Sequence, residues 1–336
     1  MTASGSRGSA APGVSLAAPE ITYLHAHGTW EENGTYRLDL LSADDPWLWD
    51  RYGVSSTLTT RDYSFDLSAP ATTAPENGRL TVTLMGTRDD PFNPLDHHVR
   101  ILVNGSLVTE TRFDGELAHT VQAAVSPALL LDGANTLTLE RGSGASALSI
   151  VQVDRFSMDF PRLLVPQGGV LEGQAPHSGT VSVAGFGAGS LLLDTTTGHA
   201  RWLRSSSWGG DTLTFQAKAL HSYLAVAPAG LLSPEIRPVV AQDLRATSNQ
   251  AHWVLIAPRD YLDEAQPLVL HREAQGLAVL SVALEDVYAA FSHGEPDPQA
   301  LHDFLAFAYH NWEQPSVRYV LLLGEATYDP RGYVAA

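Results

Sequence analysis

Three short runs in the last third of the chain are apolar without alternation: WVLIAP (Trp253–Pro258), LAVLSVAL (Leu277–Leu284) and YVLLLG (Tyr319–Gly324). A strand with no polar face must be covered on both sides, which is the situation of a parallel sheet between two layers of helices. Helical patterns fill the gaps. One runs from Leu262 to Gln275 and is closed by Gly276; the other is DPQALHDFLAFAYHNW, Asp297–Trp312. The order strand, helix, strand, helix, strand therefore predicts a parallel α/β layer. Three strands and two helices make an incomplete doubly wound sheet. The expectation is the front part of a larger α/β domain, preceded by a long β region.

Local chemistry agrees with these elements. Asp297 is placed to cap the second helix and Pro298 to occupy its first position, where a missing N–H costs nothing. Leu301, Phe304, Leu305, Ala308, Tyr309 and Trp312 follow at three- and four-residue spacing as the buried stripe. Pro267 falls near the start of the first helix, where it is tolerated.

Upstream, the period changes to two. TYRLDL (Thr35–Leu40), DYSFDL (Asp62–Leu67), RLTVTLMG (Arg79–Gly86), HVRILVNG (His98–Gly105), NTLTLERG (Asn135–Gly142) and VDRFSMDF (Val153–Phe160) alternate apolar and polar residues. Such strands have one wet face and one buried face, as in a sandwich. Asn104-Gly105 between two apolar triplets is a hairpin signal. From 162 to 232 the strands shorten: GTVSVAGF (Gly179–Phe186), GSLLLDTT (Gly189–Thr196), DTLTFQA (Asp211–Ala217) and HSYLAVAP (His221–Pro228). The expected organisation is a flexible Ala/Ser/Gly-rich leader at 1–20, a β-sandwich at 21–161 and a small β domain at 162–232. A linker at 233–250 and the α/β part at 251–336 complete it. The pattern of 21–161 resembles the galactose-binding-like jelly rolls found on many secreted enzymes.

Composition excludes several functions. The chain carries 37 acidic against 20 basic residues, a net charge of -17. A nucleic-acid partner needs a basic footprint and is not expected. There is no cysteine among the 336 residues, so they hold no disulfide, zinc–thiolate site or thiol nucleophile. No apolar run is long enough for a membrane span. The leader has no apolar core and does not read as a signal peptide.

The run AQPLVLHREAQGLAVLSVALEDVYAAFSHGEPDPQALHDFLAFAYHNW, followed by RYVLLLGEATYDPRGY, resembles the gingipain-type cysteine peptidases of the caspase-like clan. The likeness covers about 80 residues, 253–332, and rests on several fixed spacings on different elements. It implies a caspase-like parallel sheet, here a partial one; with the all-β sandwich of jelly-roll type and the small β domain read upstream, the expected fold is multidomain. It also implies proteolysis by a cysteine thiolate, with a neighbouring histidine as acid and base. Both groups belong to later strands in that family. The catalytic His and Cys are therefore expected beyond Ala336; no catalytic residue is assigned here, and this stretch alone is expected to be inactive. The implied partner is a protein or peptide substrate, in an extracellular or cell-surface setting, with no cofactor required.

Ligands of parallel sheets gather at the carboxyl ends of the strands. Arg259 and Asp260 follow the first strand, Glu285 and Asp286 the second, and Glu325 and Asp329 the third. Glu325 stands where the family often has Asp, so Glu325 and Asp329 are the residues expected at a cation site; turn and cap roles are the plainer reading. His271, His293, His302 and His310 follow none of these strands and are not expected to serve as the family histidine. In the β region, Asp44-Asp45, Asp89-Asp90 and Asp96 offer oxygens to a structural Ca²⁺, although Asp is also a common turn residue. His97-His98 opens a strand, so the pair is not expected to chelate. The alternative to a peptidase is a β-sandwich that contacts a glycan or cell surface through Trp47, Trp49 and Tyr52, against the plainer reading that these rings pack inward. A receiver-like signalling domain would need a late lysine, and none follows Lys218.

Overall fold

The computed structural model describes residues 18–37, 46–203, 206–236 and 241–325. They divide into two compact units, with the boundary in sequence between Ser233 and Pro234. The first is wholly β. Its strands begin with β1 (Glu20–Ile21), β2 (Tyr23–Glu31), β3 (Thr35–Tyr36), β4 (Trp47–Leu48), β5 (Thr60–Leu67) and β6 (Gly78–Gly86). The sandwich continues with β7 (His97–Val103), β8 (Ser106–Phe113), β9 (Ala118–Val125), β10 (Gly133–Arg141) and β11 (Val151–Leu163). Shorter strands follow: β12 (Val170–Gln174), β13 (Gly179–Ala184), β14 (Leu191–Asp194), β15 (Arg201–Trp202), β16 (Ser207–Gly209), β17 (Thr212–Ala217) and β18 (Ser222–Val226).

The sandwich pairs a four-stranded sheet, β5-β10-β7-β8, with part of an eight-stranded one, β15-β14-β18-β12-β2-β11-β6-β9. Period-2 alternation sends Tyr63, Phe65, Val99, Ile101, Leu137 and Leu139 inward from the first sheet. Leu80, Val82, Leu84, Phe156 and Met158 meet them from the second. Trp49 stacks on Phe156 at 5.3 Å and meets Tyr63 edge-on, and Trp47 is buried. The indoles therefore serve the core, and only Tyr52 of the aromatic trio is exposed.

A second core lies beyond the sandwich. Ile21, Leu24, Leu171, Val181, Phe186, Leu213, Phe215 and Tyr223 are packed together there. The boundary expected at 161/162 falls inside β11, which runs to Leu163. The eight-stranded sheet passes through it without a linker and supplies strands to both cores. The small β region is also not contiguous in sequence. Glu20 and Ile21, at the head of the chain, pair in parallel with Thr180 and Val181.

The second unit is the expected parallel layer. It contains β19 (Trp253–Ala257), α1 (Gln266–Ala274), β20 (Val279–Ala283), α2 (Leu284–Phe291), α3 (Pro298–Asn311) and β21 (Tyr319–Leu322). β19 lies between β20 and β21, parallel to both. Its alternate residues enter two cores. Val254 and Ile256 meet Val287, Phe304, Ala308 and Trp312, while Trp253, Leu255 and Ala257 meet Ala265 and Val269. Helices thus cover both faces of the sheet.

Several boundaries differ from expectation. α1 starts at Gln266, with Pro267 in its first turn; residues 259–261 form a 3₁₀ turn instead. The second apolar run was expected to be strand through Leu284, but α2 begins there, with Glu285 and Asp286 in its first turn. Asp297 caps α3 as expected, accepting the Gln299 N–H at 2.8 Å. Tyr309 leaves the buried stripe and is exposed, because five residues from Phe304 is well over a quarter-turn off its face. The expected linker also contributes to the core. Leu244 is fully buried, and its carbonyl accepts the Trp312 indole N–H at 3.1 Å.

Two local devices in the β unit can be measured. The Asn104-Gly105 hairpin turn has φ of 50° and 77°. Asn104 Nδ2 also donates to the Leu129 carbonyl at 2.7 Å and its Oδ1 accepts from Thr136 N at 2.9 Å. Gly105→Ala should cost about 1 kcal/mol, the penalty of a left-handed residue with a Cβ. Asn104→Ala should cost about 2–3 kcal/mol, since it also strands those backbone groups. Urea denaturation of the β unit ranks the two, and equal losses would mean the amide bonds contribute nothing. Elsewhere, burial alone would raise the Asp194 carboxyl. Hydrogen bonds from Thr196 and His221 outweigh burial and hold it down at about 2. A depressed carboxylate stabilises the fold above its ordinary value and loses that contribution as pH falls through its folded value. The stability gap between wild type and Asp194→Asn should therefore be full near pH 6 and close between about pH 4 and pH 2.

Candidate functional site

The carboxyl ends of β19 and β20 bring three of the expected residues together. Arg259 is the first residue of the turn after β19, and Glu285 and Asp286 open α2 directly after β20. The Arg259 backbone N–H donates to both Glu285 carboxylate oxygens, at 3.1 and 3.3 Å. Its guanidinium donates to Asp286 Oδ1. The other Asp286 oxygen accepts the Gln242 N–H at 3.3 Å. The Asp286 side chain is 5% exposed and that of Arg259 is 50% exposed. A buried carboxylate is thus paired with a half-exposed cation and a main-chain donor. Arg245 fixes the next turn of α2. Its guanidinium donates twice to the Ala290 carbonyl and lies 4.3 Å from the Phe291 ring centre.

This arrangement braces the strand ends. Every charge in it already has a partner inside the protein, so it supplies neither a free base nor a nucleophile. Asp260 is exposed and lies outside the brace. Gly324, with φ of 138°, closes β21 against the Pro258 ring. Glu325 then emerges exposed, with no hydrogen bond or ion pair among the described residues. Asp329 lies outside the described residues. His271, His302 and His310 are exposed on helices and His293 is exposed in the loop after α2. None stands at a strand end.

In the β unit, carboxylate oxygens of Asp89, Asp96 and Asp114 lie within 4.8 Å of one another. Asp114 was not foreseen; it follows β8, and only the fold brings it to the other two. Asp90 points elsewhere, to the Ser146 hydroxyl and the Phe92 N–H, and Asp44 and Asp45 lie outside the described residues. Asp96 is fully buried and accepts from the N–H groups of Asp90 and Gly115. Those two donors, with His97 Nε2 3.4 Å from its Oδ1, account for its burial. His97 and His98 are both buried and have separate partners. His97 lies between the Ser149 hydroxyl and the Gly115 carbonyl, and the Gly144 N–H faces His98 Nδ1.

A parallel sheet with helices on both faces is the frame the gingipain-type resemblance implies. Residues 246–334 match the family model Peptidase family C25. The C25 segment thus coincides with the α/β unit, and the gingipain-type resemblance read from its sequence is borne out. No curated protein matches the sequence. Among solved structures, dimeric latent PorU from Porphyromonas gingivalis superposes with a TM-score of 0.65 at 18% identity, covering 91% of this chain and 30% of that one. The likeness therefore extends from the C25 segment through the β unit, and the chain spans under a third of the PorU length. At this identity the likeness establishes the multidomain fold alone, a β-sandwich followed by a parallel α/β layer. A carbohydrate-binding module CBM36 in complex with calcium and xylotriose (TM-score 0.25, 14% identity, 41% of this chain and 99% of that one) also matches. So does CBM35 from Cellvibrio japonicus Abf62 (TM-score 0.27, 11% identity, 41% and 97%). Superpositions this loose carry nothing about what the β unit binds.

The brace at the start of α2 has a testable energetic signature. Arg259→Ala leaves Asp286 buried without its counter-charge and should destabilise the α/β unit by about 2 kcal/mol. Adding Asp286→Asn should recover part of that loss, because a neutral amide needs no cation. Urea denaturation followed by Trp253 and Trp312 fluorescence checks this, and a double variant no more stable than Arg259→Ala would refute the brace.

Proposed function

We propose that this chain is the N-terminal portion of a gingipain-like cysteine endopeptidase. It would contribute accessory β structure and the first three strands of the catalytic sheet. The observation that carries this reading is the coincidence of the C25 match with the parallel β20-β19-β21 layer. With no cysteine in 336 residues, the thiolate for that chemistry would come from residues outside them. The histidine would as well, since none of the described ones follows the carboxyl end of β19, β20 or β21. The role of the α/β unit is then to align the strand ends, using Arg259, Glu285 and Asp286, while polypeptide from outside brings the dyad. The substrate would be a protein or peptide, in an extracellular or cell-surface setting. Among the described residues no helix is long and apolar enough to cross a membrane. Glu325, exposed after β21 and without a partner among the described residues, fits a role at the rim of that site, with or without a cation. The glycan-binding alternative loses its main support, because Trp47 is buried and Trp49 packs against the sandwich core.

The test is to express these 336 residues alone and joined to whatever coding sequence follows them. The chain alone should leave peptide substrates uncut. The extended protein should cleave them, and a thiol-alkylating reagent should abolish cleavage. A stop codon directly after Ala336, or cleavage indifferent to alkylation, would defeat the proposal.

A further inference from the structure

The β unit contains an open cleft of about 780 Å³ on the solvent face of the eight-stranded sheet. Its floor is a cross-strand row in which His27, Asp159 and Arg79 are register partners on β2, β11 and β6. His25 and Gln174 are paired beside it on β2 and β12. The walls include Glu76, Glu172 and Leu220.

The ionic groups of this cleft are unequally committed. Arg79 donates through Nε and NH2 to one Asp159 oxygen, at 3.0 and 2.8 Å, and His27 lies 2.7 Å from the other. Those contacts saturate Asp159. Burial alone would raise its carboxyl, and the His27 and Arg79 bonds bring it below the usual range. Arg162 donates to the Val165 carbonyl at 3.0 Å. Burial lowers the His25 imidazole, which outweighs the attraction of Asp159 and keeps it neutral near pH 7. The carboxylates on the walls are freer. Glu172 is exposed, with no hydrogen bond or ion pair among the described residues. Among the described residues Glu76 accepts only from the Tyr23 hydroxyl, which carries no charge. The cleft therefore presents anions whose charge is not cancelled, while its cations are turned onto the protein.

Two further features indicate the shape of the ligand. Leu220 is 67% exposed and has a φ of 61°. A branched apolar residue is rarely held in that conformation at the surface; here the Ala175 carbonyl and Gln174 Nε2 fix it. It offers an aliphatic wall next to the acids, suited to the methylene stem of a long basic side chain. In addition, β12 and β2 pair at a single position, Gln174–His25. From His27 onward, that edge of β2 has no strand partner among the described residues. An unpaired edge gives main-chain donors and acceptors to an extended peptide.

We propose that this cleft binds an extended peptide segment through an arginine or lysine side chain, with Glu172 and Glu76 holding the cation and Leu220 its stem. The proposal does not depend on the peptidase reading. The probe is a fluorescent decapeptide carrying three arginines, compared with the same peptide carrying three citrullines, which keep the shape and remove the charge. Anisotropy with the full chain at low salt should show the arginine peptide binding at least tenfold more tightly. Glu172→Gln should weaken it at least about threefold. Glu116→Gln, at the opposite end of β6, should leave it unchanged. Equal affinity for both peptides, no binding, or full affinity in Glu172→Gln would overturn the proposal. An equal loss in Glu116→Gln would also overturn it, by showing only general attraction to an acidic protein.

Discussion

The pairing of β2 with β11 holds the β unit together. Nine consecutive register pairs, from Tyr23–Leu163 to Glu31–Arg155, lie between two cores that the same strands fill. Leu24 belongs to the second core while Ala26 and Trp30, a few residues on, pack against the first. A shift of one residue would turn Leu24, Ala26 and Trp30 to solvent and bring His25 and His27 inside. Register in this one ladder therefore decides both cores at once. The same ladder aligns His27 with Asp159 on the outer face, and the β11–β6 ladder adds Arg79 beside them.

The α/β unit depends on a different constraint. β19 is buried on both faces and parallel to both neighbours, so neither side can be left uncovered. α1 covers one side, and α2 with α3 the other. The acidic start of α2 then lies directly under the end of β19, and Arg259 closes the gap. The brace follows from β20 running into α2 without a loop.

Much of this was legible in the residues. Undivided apolar runs gave β19, β20 and β21, and Asp297-Pro298 gave the start of α3. Asn104-Gly105 gave its hairpin. β2 was missed because its inward positions include Ala26 and Gly28, too small to make the alternation visible, while His25 and His27 occupy the outer face. β12 was missed for a related reason: Gly173 is required where the strand comes close to Leu24 and the His25 carbonyl, and a glycine reads as a break. Strand-end logic brought Arg259, Glu285 and Asp286 to one place, but not their pairing, which depends on where α2 starts. Nothing in sequence order connects Asp114 to Asp89, or Glu172 to Glu76; those proximities are products of the sheet topology alone.

The parallel pairing of Glu20–Ile21 with Thr180–Val181 has a consequence during synthesis. The strand Glu20–Ile21 emerges from the ribosome about 160 residues before its partner. Until then Ile21 and Leu24 have no core to enter, although the sandwich strands up to β11 are already available to β2. The head of the chain must stay unengaged while the sandwich closes around its neighbour. Contacts this distant in sequence are slow to form and leave apolar residues uncovered in the interval. The small β core is thus the last part of its unit to close, and it closes on residues made about 160 positions earlier.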